Sequence, residues 1–108
     1  MDSDLYENLK LELRRGSLVL AVLAALRAEQ YGYTLRRSLA GVGVAIEESA
    51  LYPMLRRLEE QGLLVSQWRE EANRKKRFYR ISRVGAQVLV RLLEDWRALN
   101  LSINRILK

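Results

Sequence analysis

The chain has 108 residues, enough for one domain with a single modest core. Hydrophobic residues make up 49% and charged residues 30%, a globular balance rather than a disordered one. The absence of cysteine and histidine excludes disulfides, thiolate or imidazole metal sites and histidine acid–base catalysis, and the net charge of +6 favours a polyanionic partner such as nucleic acid.

Asp2 and Asp4 stand where a signal peptide would be basic, and the apolar run over residues 18–26 is too short to span a bilayer. A cytoplasmic protein without membrane contact is therefore expected. A first helix is predicted over residues 4–29. Asp4 and Glu7 fit an acidic capping box, Leu5, Leu9 and Leu13 recur at helical spacing, and Gly16-Ser17 predicts a bend. Residues 18–26 are apolar on nearly every face and belong in the core.

After Tyr31-Gly32-Tyr33, a short helix is predicted over residues 33–39. It turns Leu35 and Leu39 inward and leaves Arg36 and Arg37 outward. Gly41 and Gly43 mark a turn. The next helix places Leu51, Leu55 and Leu58 on one face and Tyr52, Arg56 and Glu59 on the other, with Gly62 as its stop. Local rules start this helix at Pro53, because an interior proline loses a hydrogen bond and clashes. Two short strands are predicted over residues 63–68 and 77–81, joined by a charged, flexible loop over residues 69–76. Ser82 is the expected N-cap of a last helix running to Ile106.

Two helices across a glycine turn suggest a helix-turn-helix, whose second helix fits the major groove of DNA. Ser49, Tyr52 and Arg56 then face the bases, with Arg57 near the edge of the stripe. The basic run Arg74-Lys75-Lys76-Arg77 follows as a wing. Together with Arg36 and Arg37 it supplies the candidate phosphate contacts. Tyr33, Thr34, Glu48, Pro53 and Tyr79 complete the expected DNA-binding surface. In the last helix, Leu89, Trp96 and Ile103 recur at intervals of seven, as do Leu92, Leu99 and Ile106. This seam, with Leu5 and Leu9 of the first helix, is the expected homodimer interface.

The expected fold is mostly α with a small β-hairpin (α+β). A winged helix-turn-helix occupies residues 1–81 and a long dimerisation helix residues 82–108, in one compact unit. The first helix is expected to contribute to the dimer. The pairs Glu47-Glu48, Glu59-Glu60 and Glu70-Glu71 read as solvated surface. No catalytic or metal site assembles from them, no cofactor is implied, and an enzyme is not expected. The rival reading is a winged helix used for protein–protein contact without specific DNA binding.

The stretch over residues 51–64, LYPMLRRLEEQGLL, resembles the signature of the PadR family of bacterial transcriptional regulators. Tyr31-Gly32-Tyr33 and residues 77–85, RFYRISRVG, are similar to two further motifs of that family. The resemblance implies a winged-helix dimer that represses transcription from a palindromic operator in double-stranded DNA. It also implies a recognition helix that begins before Tyr52, against the local Pro53 start. A single C-terminal helix resembles the compact subgroup, some of whose members sense drugs or planar ligands beside a tryptophan. Trp96 holds such a place: it either stacks on an aromatic effector or is plain dimer core. The sequence departs from the family pattern at Tyr31, at Glu47 as N-cap, and at Arg74-Lys75-Lys76 in the wing.

Overall fold

The computed structural model describes residues 2–108. Helix α1 (Ser3–Ala25) is capped by Asp2, whose carboxylate accepts from the backbone N–H groups of Asp4 and Leu5 at 2.9 and 3.2 Å. The cap is thus Asp2 rather than Asp4, and the helix ends before residue 29. It also runs unbroken through Gly16. A glycine there costs about 1 kcal/mol, which the burial of Val22 and Leu23 in the same helix outweighs.

A two-residue strand, β1 (Gln30–Tyr31), follows. Helix α2 (Gly32–Gly41), helix α3 (Glu48–Glu60), strand β2 (Leu64–Glu71), strand β3 (Arg74–Ile81) and helix α4 (Arg83–Leu107) complete the chain. The three strands form an antiparallel sheet in the order β1-β3-β2. Strand β1 escapes sequence reasoning because two residues carry no periodicity. It exists through its pairing with β3, Gln30 opposite Tyr79 and Tyr31 opposite Phe78.

Helix α3 starts at Glu48, not at Pro53. Pro53 cannot donate to the Ser49 carbonyl, but both residues lie on the exposed face, where water can satisfy that oxygen. On the opposite face Leu51, Leu55 and Leu58 are almost fully buried. Extending the helix by one turn before the proline is what carries Leu51 into the core. Each such leucine gains about 1.5–3 kcal/mol from burial, so packing overrides the local penalty.

The core gathers Val22 and Leu23 from α1 and Leu26 at its C-cap, Leu35 and Leu39 from α2, and the inner face of α3, closed by Leu64, Tyr79 and Ile81. Ser82 caps α4 as expected, accepting from Gly85 N–H at 2.9 Å and donating to the Gly62 carbonyl at 2.6 Å. Leu89 corrects the sequence reading. It is buried in the core of its own chain, on the first turns of α4, and offers nothing to a partner. Beyond it Trp96, Leu99, Ile103 and Ile106 remain exposed, while Leu92 is partly covered by the core. Among the described residues, no helix is long and apolar enough to cross a membrane.

Gly85 lets α4 approach the end of α3. A Cβ there would collide with the Leu63 carbonyl oxygen and press on Ile81. Helix propensity alone favours Gly85→Ala by about 1 kcal/mol. The variant is nonetheless expected to be less stable by about 1–3 kcal/mol in urea unfolding. A stabilised variant would show that the contact between α4 and Leu63 has room to give.

Candidate nucleic-acid interface

The α2–turn–α3 unit presents one outward stripe. Ser49, Tyr52, Pro53 and Arg56 share the exposed face of α3, and Arg57 flanks it. Neither Arg56 nor Arg57 has an ion-pair partner among the described residues. Glu47 caps the helix through its backbone geometry alone, without a side-chain hydrogen bond. Gly32, at the start of α2, is overlaid by the Tyr52 ring, and any Cβ there would strike the ring and its hydroxyl. Tyr52 thereby holds the exposed face of α3 against the start of α2.

The turn itself is clasped by two arginines. Arg36 Nε donates to the Ile46 carbonyl at 3.2 Å, and its guanidinium stands 3.7 Å from Glu48. Arg14 of α1 reaches across to donate to the Ala45 carbonyl at 2.6 Å. Arg36, expected outward against phosphate, is instead half-buried and engaged in holding the turn, and Glu48 pairs with it. Arg37 is exposed, its guanidinium 5.7 Å from the Tyr33 ring. Thr34 donates to the Tyr31 carbonyl at 3.0 Å within the first turn of α2.

The wing is longer than the sequence indicates. Residues 69–76, expected as a flexible loop, form strand on both sides of a two-residue turn. Cross-strand pairing sets Glu70 opposite Lys75 and Glu71 opposite Arg74 in register, while the ion pair formed near the tip is that of Glu71 with Lys76, at 3.5 Å. Ala72 and Asn73 both have positive φ, 53° and 62°, as a type I′ turn requires.

On one face of the wing, Lys76 Nζ lies 4.4 Å from the Tyr31 ring centre and 3.5 Å from Glu71, and Arg69 stacks at 3.8 Å on Phe78. The other face turns towards α3. There Arg77 bonds Glu59 at 2.8 Å and the Ser66 hydroxyl at 2.9 Å, between the rings of Trp68 and Tyr79. Lys76 and Arg77 are therefore occupied within the chain, against the expectation of phosphate contact. Glu59 is a half-buried partner rather than solvated surface. Tyr79 is buried at 6% exposure and belongs to the core. Burial pushes its phenol above the ordinary value of 10, against the lowering pull of Arg77, so the hydroxyl stays neutral at physiological pH. Arg74 and Lys75, nearer the tip, are exposed and unpaired among the described residues.

Between wing and α3 lies an open cleft of about 440 Å³, lined by Tyr52, Arg56, Trp68, Lys75, Arg77 and Tyr79 among others. Trp68, Ser66 and Glu59 are the residues that sequence reasoning missed. The alternation Leu64, Ser66, Trp68 along one strand face held the available signal.

This arrangement of helix-turn-helix and wing matches known proteins. Residues 19–91 match the Transcriptional regulator PadR-like family. The chain belongs to the PadR-like family of transcriptional regulators. It is 38% identical over 89 residues to the transcriptional regulator Rv3488 of Mycobacterium tuberculosis, covering 82% of this chain and 80% of that protein. The crystal structure of a PadR family transcriptional regulator from Eggerthella lenta superposes with a TM-score of 0.90 at 42% identity, over 97% of this chain and 94% of that one. Bacillus subtilis PadR, solved in complex with operator DNA, superposes with a TM-score of 0.66 at 26% identity, over 71% of this chain and 45% of that one. The PadR-like fold here is a winged helix with four helices, a three-stranded antiparallel sheet and a long C-terminal helix.

Ala72 sits in the left-handed region, which costs an L-residue with no side-chain polar group about 1–2 kcal/mol. Replacing Ala72-Asn73 with Asn-Gly is expected to slow amide exchange in β2 and β3 about fivefold. Faster exchange would mean that the tip does not hold a type I′ turn.

Proposed function

We propose that the chain is a homodimeric repressor that binds a palindromic operator in double-stranded DNA. The observation that carries this reading is the placement of free cations on the helix-turn-helix and the wing. Arg56 and Arg57 on α3, Arg37 on α2, and Arg74 and Lys75 on the wing are exposed cations without ion-pair partners among the described residues. Cations left unpaired on a recognition helix and its wing suit an interface with phosphates and base edges. The operator complex of Bacillus subtilis PadR supports the same reading by likeness.

Ser49, Tyr52, Pro53 and Arg56 face the bases in this proposal, with Arg57 at the edge. Arg37, Arg74 and Lys75 hold phosphates, and Tyr33 and Thr34 flank them at the start of α2. The dimer joins residues 82–108 of two chains through Leu92, Trp96, Leu99, Ile103 and Ile106, with Leu5 and Leu9 of α1 adding to the contact. Their exposure in the single chain supports this, since exposed apolar side chains at heptad spacing gain by association. Two-fold symmetry then sets two recognition helices about 34–36 Å apart, in successive major grooves.

A groove of about 500 Å³ between α1 and α4, lined by Leu13, Gly16, Leu92, Trp96, Leu99 and Ile103, suits a small planar aromatic effector. Such an effector acts if it binds the DNA-incompetent dimer more tightly.

The test is selection of bound duplexes from a random pool, followed by fluorescence anisotropy across a salt series and sedimentation to size the complex. A two-fold symmetric winner bound by a dimer is expected. No enrichment, with equal weak affinity for all sequences, would move the protein-contact reading to the front. Arg56→Ala is expected to cost about 1–3 kcal/mol on the operator and to relax specificity at one base pair. Lys75→Ala is expected to weaken all duplexes alike and to reduce the log–log salt slope by about 0.9. Equal loss on specific and random DNA at Arg56, or an unchanged slope at Lys75, would exchange or remove these roles.

A further inference from the structure

We propose that Glu59, Ser66 and Arg77 are positioning residues that fix the angle of the wing against α3, so that Arg77 sets DNA specificity without touching DNA. This rests on the DNA-binding reading above. The three side chains close a triangle: Arg77 Nη2 donates to Glu59 Oε1 at 2.8 Å, Arg77 Nε to Ser66 Oγ at 2.9 Å, and Ser66 Oγ to Glu59 Oε2 at 2.6 Å. Glu59 lies in the last turn of α3, while Ser66 and Arg77 lie on the two strands of the wing. The guanidinium also sits 5.6 Å from the Trp68 ring centre and 5.5 Å from that of Tyr79. Both oxygens of one carboxylate are therefore used to join helix to wing at the root of the hairpin.

Geometry gives this joint its leverage. Beyond it β2 runs on from Ser66 to Glu71 and β3 lies between Arg77 and Arg74, a lever of about 10–17 Å at the usual rise per residue. A tilt of about 10° at the root moves the tip by about 2 Å, beyond the tolerance of a hydrogen bond to a phosphate. Arg74 and Lys75 sit near that tip. Their registration with the base-facing stripe of α3 thus depends on the root. Chemistry favours the same assignment. A phosphate would have to displace Glu59, leaving a half-buried carboxylate with the Ser66 hydroxyl in place of its ion pair, and that loss opposes the exchange. Arginine suits the place because its planar fork meets two oxygens while stacking between rings, which an ammonium cannot do.

Two substitutions in the full-length chain separate the possibilities, with affinity for the selected operator and for random duplex measured across salt. Arg77→Met is expected to lower the operator-to-random affinity ratio about tenfold, with the random-duplex salt slope unchanged. Glu59→Gln raises the net charge by one, so charge alone would tighten all binding. The joint instead predicts weaker operator binding by a similar factor. Arg77→Lys should recover part of the loss, through Glu59 alone. Equal weakening on both duplexes with a shallower slope in Arg77→Met would make Arg77 a phosphate contact, and general tightening in Glu59→Gln would remove the joint.

A readout without DNA accompanies these. The chain has no cysteine, so a nitroxide at Glu70→Cys labels the wing uniquely. Its spectrum is expected to show a restrained wing in the parent and a looser one in Glu59→Gln and Arg77→Met. Identical spectra would overturn the joint. If the parent selects no duplex, the DNA-binding reading fails while the nitroxide still decides whether the joint holds the wing. If Arg77→Met fails to fold, Glu59→Gln carries both measurements.

Discussion

The burial of Leu51, Leu55 and Leu58 along one face of α3 is the constraint from which the outer surface follows. With those side chains at 0–2% exposure, the rotation of the helix about its axis is fixed. At 100° per residue, the stripe of Ser49, Tyr52, Pro53 and Arg56 can then only face away from the core. The same burial explains why the helix tolerates Pro53. The missing hydrogen bond falls on the exposed side, where the carbonyl is open to solvent, while a start at Pro53 would remove Leu51 from the helix and the core.

Around the turn and the wing the arginines and lysines fall into two groups, and the division follows where acids and aromatic rings are placed. Arg14 and Arg36 bond carbonyls of the α2–α3 turn, Arg69 pairs with Glu29 and Phe78, Lys76 with Glu71 and Tyr31, and Arg77 with Glu59. These cations hold the turn and the wing in place. Arg37, Arg56, Arg57, Arg74 and Lys75 are exposed and have no ion-pair partner among the described residues.

Elements built on long periodic patterns were legible from the sequence. The apolar recurrence in α1, the leucine faces of α2 and α3, and Ser82 before α4 all report local rules that the tertiary structure leaves intact. What was not legible depends on partners distant in sequence. Strand β1 exists because β3 accepts it, and residues 69–76 become strand because β2 and β3 pair without a break from Leu64 opposite Ile81 out to Glu71 opposite Arg74. The site shows the same limit. A run of four cations looks uniform in sequence, yet alternation on a strand sends Lys76 to one face and Arg77 to the other, each into an acid supplied from elsewhere. Leu89 is misplaced for a related reason. A seven-residue repeat cannot tell the turn of α4 that packs on its own core from the turns that extend past it.

Helix α1 joins the two halves of the molecule physically. One side of it, through Leu13, Gly16 and Ser17, lines the apolar groove shared with Trp96, Leu99 and Ile103 of α4. From the same stretch, Arg14 donates at 2.6 Å to the Ala45 carbonyl, in the turn that launches the recognition helix. Its last turns, meanwhile, are locked into the core by Val22 and Leu23. The helix is thus anchored at its C-terminal end, and among the described residues its exposed N-terminal half meets the turn through the Arg14 hydrogen bond. A contact made in the groove acts within one or two residues of Arg14, whereas reaching the wing from there requires passing through the core and the Glu59–Arg77 joint. By geometry, then, the groove adjoins the residue that ties α1 to the turn before α3, and the wing is tied through Glu59 to the end of that same helix.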